Sequence, residues 1–203
     1  PLCILMWLIV LLCLVSMPQA RAEICLDYDE SIQNPALGNP LAVVTSPDGK
    51  HVYVSSENVP YSSATDYKGA LFAFTRDLGT GKLTPLPGIQ YDGVSGVEGI
   101  GTPTSIAVSP DGKYAYVASG EDIYGRITGG YNAVAVFKRD DTTGALSFVE
   151  AKFNGTGDVV GLLNANAVTV SPDGLHVYVT SGRNVKAGGS SNSDNAITVF
   201  QRD

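Results

Sequence analysis

The chain has 203 residues, of which 44% are hydrophobic and 16% charged, with 23 glycines and a formal net charge of −7. An acidic surface repels phosphate backbones and anionic headgroups, so nucleic-acid and anionic-membrane binders are excluded as the main reading. The average soluble protein carries about 25% charged residues, and a chain this lightly charged and this rich in Gly suits an all-β fold with many turns.

Residues 2–15 are 14 consecutive apolar residues, followed by Ser16, Met17, Pro18 and then Ala20-Arg21-Ala22. A short apolar core before an A-x-A site predicts a secretory signal peptide over residues 1–22, cleaved before Glu23. An uncleaved anchor is the alternative, although the run is short for a hydrocarbon core of about 30 Å. No Met, Lys or Arg precedes the run, so the reading frame is expected to begin upstream. Cleavage leaves no stable membrane span, and the expected location is periplasmic, secreted or cell-surface. Cys3 and Cys13 depart with the leader. Cys25 remains, either paired with a cysteine outside this sequence or free.

Beyond the leader the chain repeats. Ser-Pro-Asp-Gly begins at Ser46, Ser109 and Ser171, spaced 63 and 62, and Phe-x-Arg-Asp begins at Phe74, Phe137 and Phe200, spaced 63 and 63. Two independent markers with one period define a structural repeat. In the second repeat the pattern predicts strands over 104–109, 114–119, 133–139 and 146–153, with tight reversals at Pro110-Asp-Gly112 and over 140–144. No helical period appears. Four-stranded antiparallel units repeated radially are β-propeller blades, and about four to eight of them close a ring. The expected organisation is a closing strand and loop over 23–40, then blades over 41–90, 104–153 and 166–203. Counted back from the turn prolines, Tyr28 keeps the register of Tyr91 and Phe153. Residues 23–28, with Cys25 among them, are therefore expected as a fourth strand that closes the ring.

Ser46-Pro-Asp-Gly-Lys-His-Val-Tyr-Val54, Val177-Tyr-Val-Thr-Ser181 and Ala133-Val-Ala-Val-Phe-Lys-Arg-Asp140, with Thr143-Gly-Ala-Leu-Ser-Phe148, resemble the lactonase-type β-propellers. That family includes 6-phosphogluconolactonase-like and YVTN-repeat proteins, and the similarity covers roughly 40–203. WD-type propellers match poorly, since the only Trp is Trp7 in the leader. The resemblance implies seven blades, which at about 63 residues each would need roughly 440 residues. The chain is therefore expected to be an N-terminal fragment with its third blade truncated, and the complete protein a monomer. It also implies hydrolysis of a lactone, of the sugar-acid type, by a water-activating carboxylate. The alternative is a non-catalytic propeller that binds a protein or a glycan.

Residues that recur at one repeat position serve every blade. On that ground His51 and His176 are structural, and Arg76, Arg139 and Arg202 with Asp77, Asp140 and Asp203 are expected to brace the third-to-fourth-strand turn. The longer connections, over 57–69, 92–103, 121–132, 154–165 and 183–195, share the opposite end of the strands. Long loops on a rigid scaffold commonly carry binding residues. Their repeat-breaking charges are Glu98, Glu121, Asp158, Arg126 and Arg183, with Val160 in the position of Glu98 and Gly96 where Asp158 would fall. A carboxylate there could activate water and an arginine could hold an oxyanion. Asp27-Tyr-Asp-Glu30 offers hard oxygens without a spaced ligand pattern, so no metal or cofactor is expected. Asn154-Gly-Thr156 is a glycosylation sequon, relevant in a eukaryotic secretory pathway.

Overall fold

The computed structural model describes residues 31–63, 66–121, 132–182 and 194–202. The expected leader, the closing strand at 23–28 with Cys25, and Arg126 and Arg183 lie outside the described residues. From Asn34 onward the chain forms one compact unit. It is all-β and antiparallel, consistent with a propeller-like arrangement, and its helical content among the described residues is the 3-10 turn Pro35–Leu37.

Three sheets follow one another along the chain. The first is built from β1 (Asn39–Thr45), β2 (His51–Pro60), β3 (Tyr67–Arg76), β4 (Leu83–Pro85) and β5 (Gln90–Tyr91), with β4 and β5 both pairing β3. The second orders β6 (Pro103–Val108), β7 (Tyr114–Ser119), β8 (Ala133–Arg139) and β9 (Leu146–Phe153). The third orders β10 (Ala165–Val170), β11 (His176–Ser181) and β12 (Ala196–Gln201). Strands β7, β8 and β9 fall where the sequence pattern puts them; β6 starts and stops one residue earlier. Ser109 belongs to the turn because its hydroxyl accepts from Tyr114 N–H at 3.0 Å and donates to Asp111. The fourth strand of the first sheet is broken in two. Pro85 and Pro87 remove two ladder donors there, and one bond, Leu86 N–H to Ala73 O at 2.8 Å, keeps the interruption against β3.

The Ser-Pro-Asp-Gly turns share one internal design. Asp48, Asp111 and Asp173 each accept a backbone N–H two residues on, at 3.1, 3.0 and 2.9 Å. Gly49, Gly112 and Gly174 take φ of 72°, 71° and 74°, the left-handed region that a side chain would strain.

First strands meet along a common inner line, with β6 lying beside both β1 and β10. Polar side chains stitch that line: Ser55 Oγ donates to Pro103 O at 2.9 Å, and Thr104 Oγ1 donates to Ala165 O at 2.8 Å. Between the first and second sheets lies a core of Tyr53, Leu71, Ile106, Val117, Phe137 and Leu146. Between the second and third lies another, of Tyr116, Val134, Leu162, Val168, Val177 and Val179. The second sheet is covered on both faces, which is why Tyr-Ala-Tyr-Val-Ala-Ser and Ala-Val-Ala-Val-Phe read as continuous apolar runs. Among the described residues the third sheet is covered on one face, and burial along β11 and β12 alternates accordingly. A third core, on the far face of the first sheet, gathers Val52, Val59, Phe72 and Phe74.

Candidate functional site

The cluster that most resembles catalytic machinery is Asp48, His51, Tyr53 and Arg139. Arg139 is buried, and its Nε donates to the Tyr53 hydroxyl at 2.8 Å. Its Nη1 donates to Gly112 O at 2.9 Å, and its Nη2 to Asp48 Oδ2 at 2.7 Å and to His51 Nδ1 at 2.8 Å. Because an arginine only donates, His51 Nδ1 is the acceptor and the ring is neutral. Burial, and then the neighbouring guanidinium, hold the His51 pKa below its usual value. Burial opposes ionisation of Asp48, but hydrogen bonds from Ser46 and Arg139 prevail and hold its carboxyl well below the usual range.

Repetition identifies this cluster as structural. One sheet further on, Arg202 Nη2 donates to Asp111 Oδ2 at 3.2 Å, and its guanidinium lies 5.8 Å from the Tyr116 ring and 5.6 Å from that of Tyr114. Each arginine also donates to the turn glycine carbonyl of its own sheet, Gly49, Gly112 or Gly174. These arginines thus clasp the first-to-second-strand turns, and Arg139 and Arg202 reach the preceding sheet, which corrects the expectation that they brace the third-to-fourth turn. Asp77 and Asp140 do brace that turn, accepting from Thr80 N–H and Thr143 N–H at 2.7 Å each. Asp48 and Asp111 can serve both turn and arginine because the turn uses one carboxylate oxygen and leaves the other.

At the opposite end of the sheets lie the described connections 92–102 and 154–164. Glu98, from the 92–102 connection, and Asp158, from the 154–164 connection, are exposed; Glu121, after β7, is half-buried. The loops distribute these three carboxylates over successive sheets. What the loop around Glu98 does assemble is Asp92, Lys68, Tyr61 and Tyr91. Asp92 is buried and accepts Ile100 N–H at 2.9 Å, which folds the loop back on its own start. Burial, with Glu98 adding to it, raises the Asp92 pKa; the Ile100 hydrogen bond and the Lys68 charge oppose the rise. Lys68 leans over this loop, its ammonium 5.3 Å from the centroid of the Tyr61 ring, which in turn lies 5.0 Å from that of Tyr91. Gly69 lets the strand approach this loop: a Cβ there would stand 1.8 Å from Ile100 O.

The repeat isolates what is unusual about Asp92. Its counterpart Asn154 accepts Leu162 N–H at 3.0 Å, so a neutral amide closes the equivalent loop. The fold needs an acceptor at this position and does not need a buried charge. The Asp92 carboxyl feels the charge of Lys68, whose counterparts in the other repeats are Tyr131 and Asp194. Two buried side-chain oxygens without a hydrogen-bond partner among the described residues, Ser56 Oγ and Thr102 Oγ1, also belong to this end of the strands. Sequence reasoning selects Glu98 and passes over Asp92 and Lys68; subtracting Asn154 from Asp92 is the signal that finds the first. No group of three or more His, Cys, Asp or Glu among the described residues could hold a metal ion, and no described helix is long and apolar enough to cross a membrane.

No family model matches the chain, and no curated protein does. Solved structures resemble it at low identity. A candidate 6-phosphogluconolactonase from Bacteroides fragilis is 21% identical with a TM-score of 0.48, covering 81% of this chain and 42% of its own. The periplasmic gluconolactonase of Pseudomonas aeruginosa is 21% identical with a TM-score of 0.49, covering 69% and 36% respectively. A functionally unknown protein from Desulfotomaculum acetoxidans is 15% identical with a TM-score of 0.41, covering 80% and 56%. The match therefore spans 42% and 36% of the first two chains.

Proposed function

We propose that this chain is part of an exported, lactonase-type β-propeller that hydrolyses a sugar-acid lactone at the long-loop end of its first sheet. The observation that carries the reading is the buried Asp92 carboxyl, close enough to Lys68 to feel its charge, in a loop whose counterpart is closed by the amide of Asn154. Glu98, exposed on the same loop, is the general base. It takes a proton from water as the water oxygen bonds to the lactone carbonyl carbon, and the Lys68 ammonium stabilises the oxyanion that forms. Collapse of that intermediate breaks the acyl carbon–ring oxygen bond. The protonated Glu98 returns its proton to the departing alkoxide, and the new carboxyl group loses its own proton to solvent, so the hydroxy acid leaves as its carboxylate. Asp92 is a positioning residue that keeps Lys68 aimed. Tyr61 and Tyr91 offer ring faces against which a sugar ring can lie.

The test is a pH-stat assay on a panel of sugar-acid lactones. Glu98→Gln is expected to lower kcat by at least about a hundredfold, the usual contribution of a general base, with KM little changed. Hydrolysis by Glu98→Gln at the wild-type rate would remove Glu98 from the mechanism. The non-catalytic reading would be favoured by saturable sugar-acid binding without turnover in the wild type.

A further inference from the structure

Among the contacts that join the first two sheets, one depends on a proton. His51 opens β2, and Ser46 fixes its backbone: the His51 N–H donates to Ser46 Oγ at 3.0 Å, and its carbonyl accepts Ser46 N–H at 2.9 Å. The imidazole is buried in the boundary between the sheets. Arg139 Nη2 donates to its Nδ1 at 2.8 Å. Against Cδ2 and Nε2 stands the 140–144 turn, so close that a Cβ on Gly144 would overlap the ring. The same turn accepts the Tyr53 hydroxyl at Gly144 O, 2.9 Å away, and that hydroxyl accepts from Arg139 Nε at 2.8 Å. Ring, guanidinium and turn therefore hold one another in place. The next boundary is closed differently. Tyr114 stands at the repeat position of His51, and the Arg202 guanidinium lies 5.6 Å from its ring, a contact that needs no basic nitrogen.

We propose that the boundary between the first and second sheets is an acid-operated latch: a proton taken up from solvent at His51 Nδ1 parts the ring from Arg139 and releases the 140–144 turn. The neutral ring offers one acceptor, and Arg139 uses it. Protonation turns that acceptor into a donor, so two cationic N–H groups would face each other across 2.8 Å. The charged groups around the ring are Arg139 from β8, Asp48 and Lys50 from the turn before β2, and Asp140 from the turn after β8. Asp48 and Asp140 favour the proton; burial, Arg139 and Lys50 oppose it and prevail. Asp48 has no oxygen to spare for the ring, because Oδ1 serves Ser46 Oγ and Lys50 N–H and Oδ2 serves Arg139. The protonated ring is therefore accommodated by swinging away from Arg139 toward water, which gives up its contact with Gly144. Tyr114 carries no basic nitrogen, so the boundary between the second and third sheets stays shut.

The chain has two histidines, so long-range proton–nitrogen NMR spectra of its imidazoles follow the His51 proton directly. The full chain is titrated from pH 8 to 4.5. A neutral His51 ring is expected at the start, taking up one proton with a midpoint below the ordinary histidine value of about 6.5. Along the same curve the Arg139 and Gly144 amides are expected to shift and the Arg139 Nε–H signal to be lost, while the Val168 and Val179 amides and the far-UV circular dichroism hold. His51→Gln keeps an acceptor for Arg139 without a titrating ring and is expected to abolish the shifts at Arg139 and Gly144. A ring already charged at pH 8, a ring that stays neutral to pH 4.5, or one that takes its proton with Arg139 and Gly144 unmoved would each overturn the proposal. So would the same shifts in His51→Gln, or loss of the far-UV signal along the His51 curve, which would mean that the sheets themselves unfold. The wild-type titration decides the matter even where His51→Gln fails to fold.

Discussion

Arg139 is the side chain whose loss the structure makes most consequential, and its repeats supply internal controls. The Arg139 side chain is 1% exposed and its Asp48 partner 30%. Arg139→Met keeps most of the volume but strips the fork from Asp48, Tyr53, His51 and Gly112 O. Breaking a buried pair by removing one partner costs about 3–5 kcal/mol. Water can reach Asp48, and the Tyr53 hydroxyl keeps its bond to Gly144 O at 2.9 Å, so the low end, about 3 kcal/mol, is expected. Arg202 pairs with an Asp111 that is 42% exposed. Its loss should cost about 1–2 kcal/mol, an exposed ion pair together with ring contacts. Arg76 donates to Gly49 O at 3.2 Å and reaches no preceding sheet among the described residues. Arg76→Met should cost about 1 kcal/mol, one ordinary hydrogen bond. Urea unfolding of the three variants, compared at equal m-values, reads the series directly. Equal destabilisation by Arg76→Met and Arg139→Met would refute the clasp between sheets.

Three further outcomes follow from the same contacts. Asp92→Asn should leave stability unchanged or raised at neutral pH, because Asn154 shows that an amide suffices. Asp92→Ala strands a buried Ile100 N–H and should cost about 1–3 kcal/mol in the same urea assay; equal losses would mean that the charge is structural. Stability should fall with acid in two stages, read by thermal unfolding between pH 8 and 3. His51 has a lowered folded pKa, so the unfolded chain takes up its proton first and stability drops as pH falls below about 6.5. Asp48 has a depressed folded pKa, so its contribution is present above about pH 4 and is lost as pH falls toward the folded value. His51→Tyr, which installs the side chain that Tyr114 carries at the equivalent repeat position, should abolish the first stage. Gly69→Ala should lower the yield of folded protein sharply, since its Cβ would meet Ile100 O; a wild-type melting curve would show that the strand and loop can part.

Much of the fold is legible in the sequence because a repeat supplies its own alignment. Strands β7, β8 and β9 begin and end where turn residues and apolar runs change, and in the second sheet both faces are buried, so the runs are continuous. The broken fourth strand of the first sheet is obscured when its repeat is read through its neighbour's, although Pro85 and Pro87 mark the break. The arginine clasp is half legible. Recurrence marks Arg139 and its counterparts as structural, but 91 residues separate Arg139 from Asp48, and no local pattern says which of several turns a long side chain reaches. The candidate site is least legible. Glu98 stands out as a charge where the next repeat has Val160, whereas Asp92 is masked by the similarity of Asp to Asn. Lys68 sits at a strand entrance where the repeats share no residue type.

The proposed chemistry depends on ligand recognition at the long-loop end of the first sheet, around Lys68, Asp92 and Glu98. Amide chemical-shift mapping with gluconate, the hydroxy acid that ring opening of gluconolactone would release, probes that location without requiring turnover. Saturable shifts are expected at Lys68, Tyr91, Gly93 and Gly99, lost in Lys68→Met, with Lys50, Lys113 and Gly144 unmoved. Saturable shifts centred on the turns at Lys50, Lys113 and Gly144, with the Lys68 loop unmoved, would be incompatible with recognition at this end of the sheet.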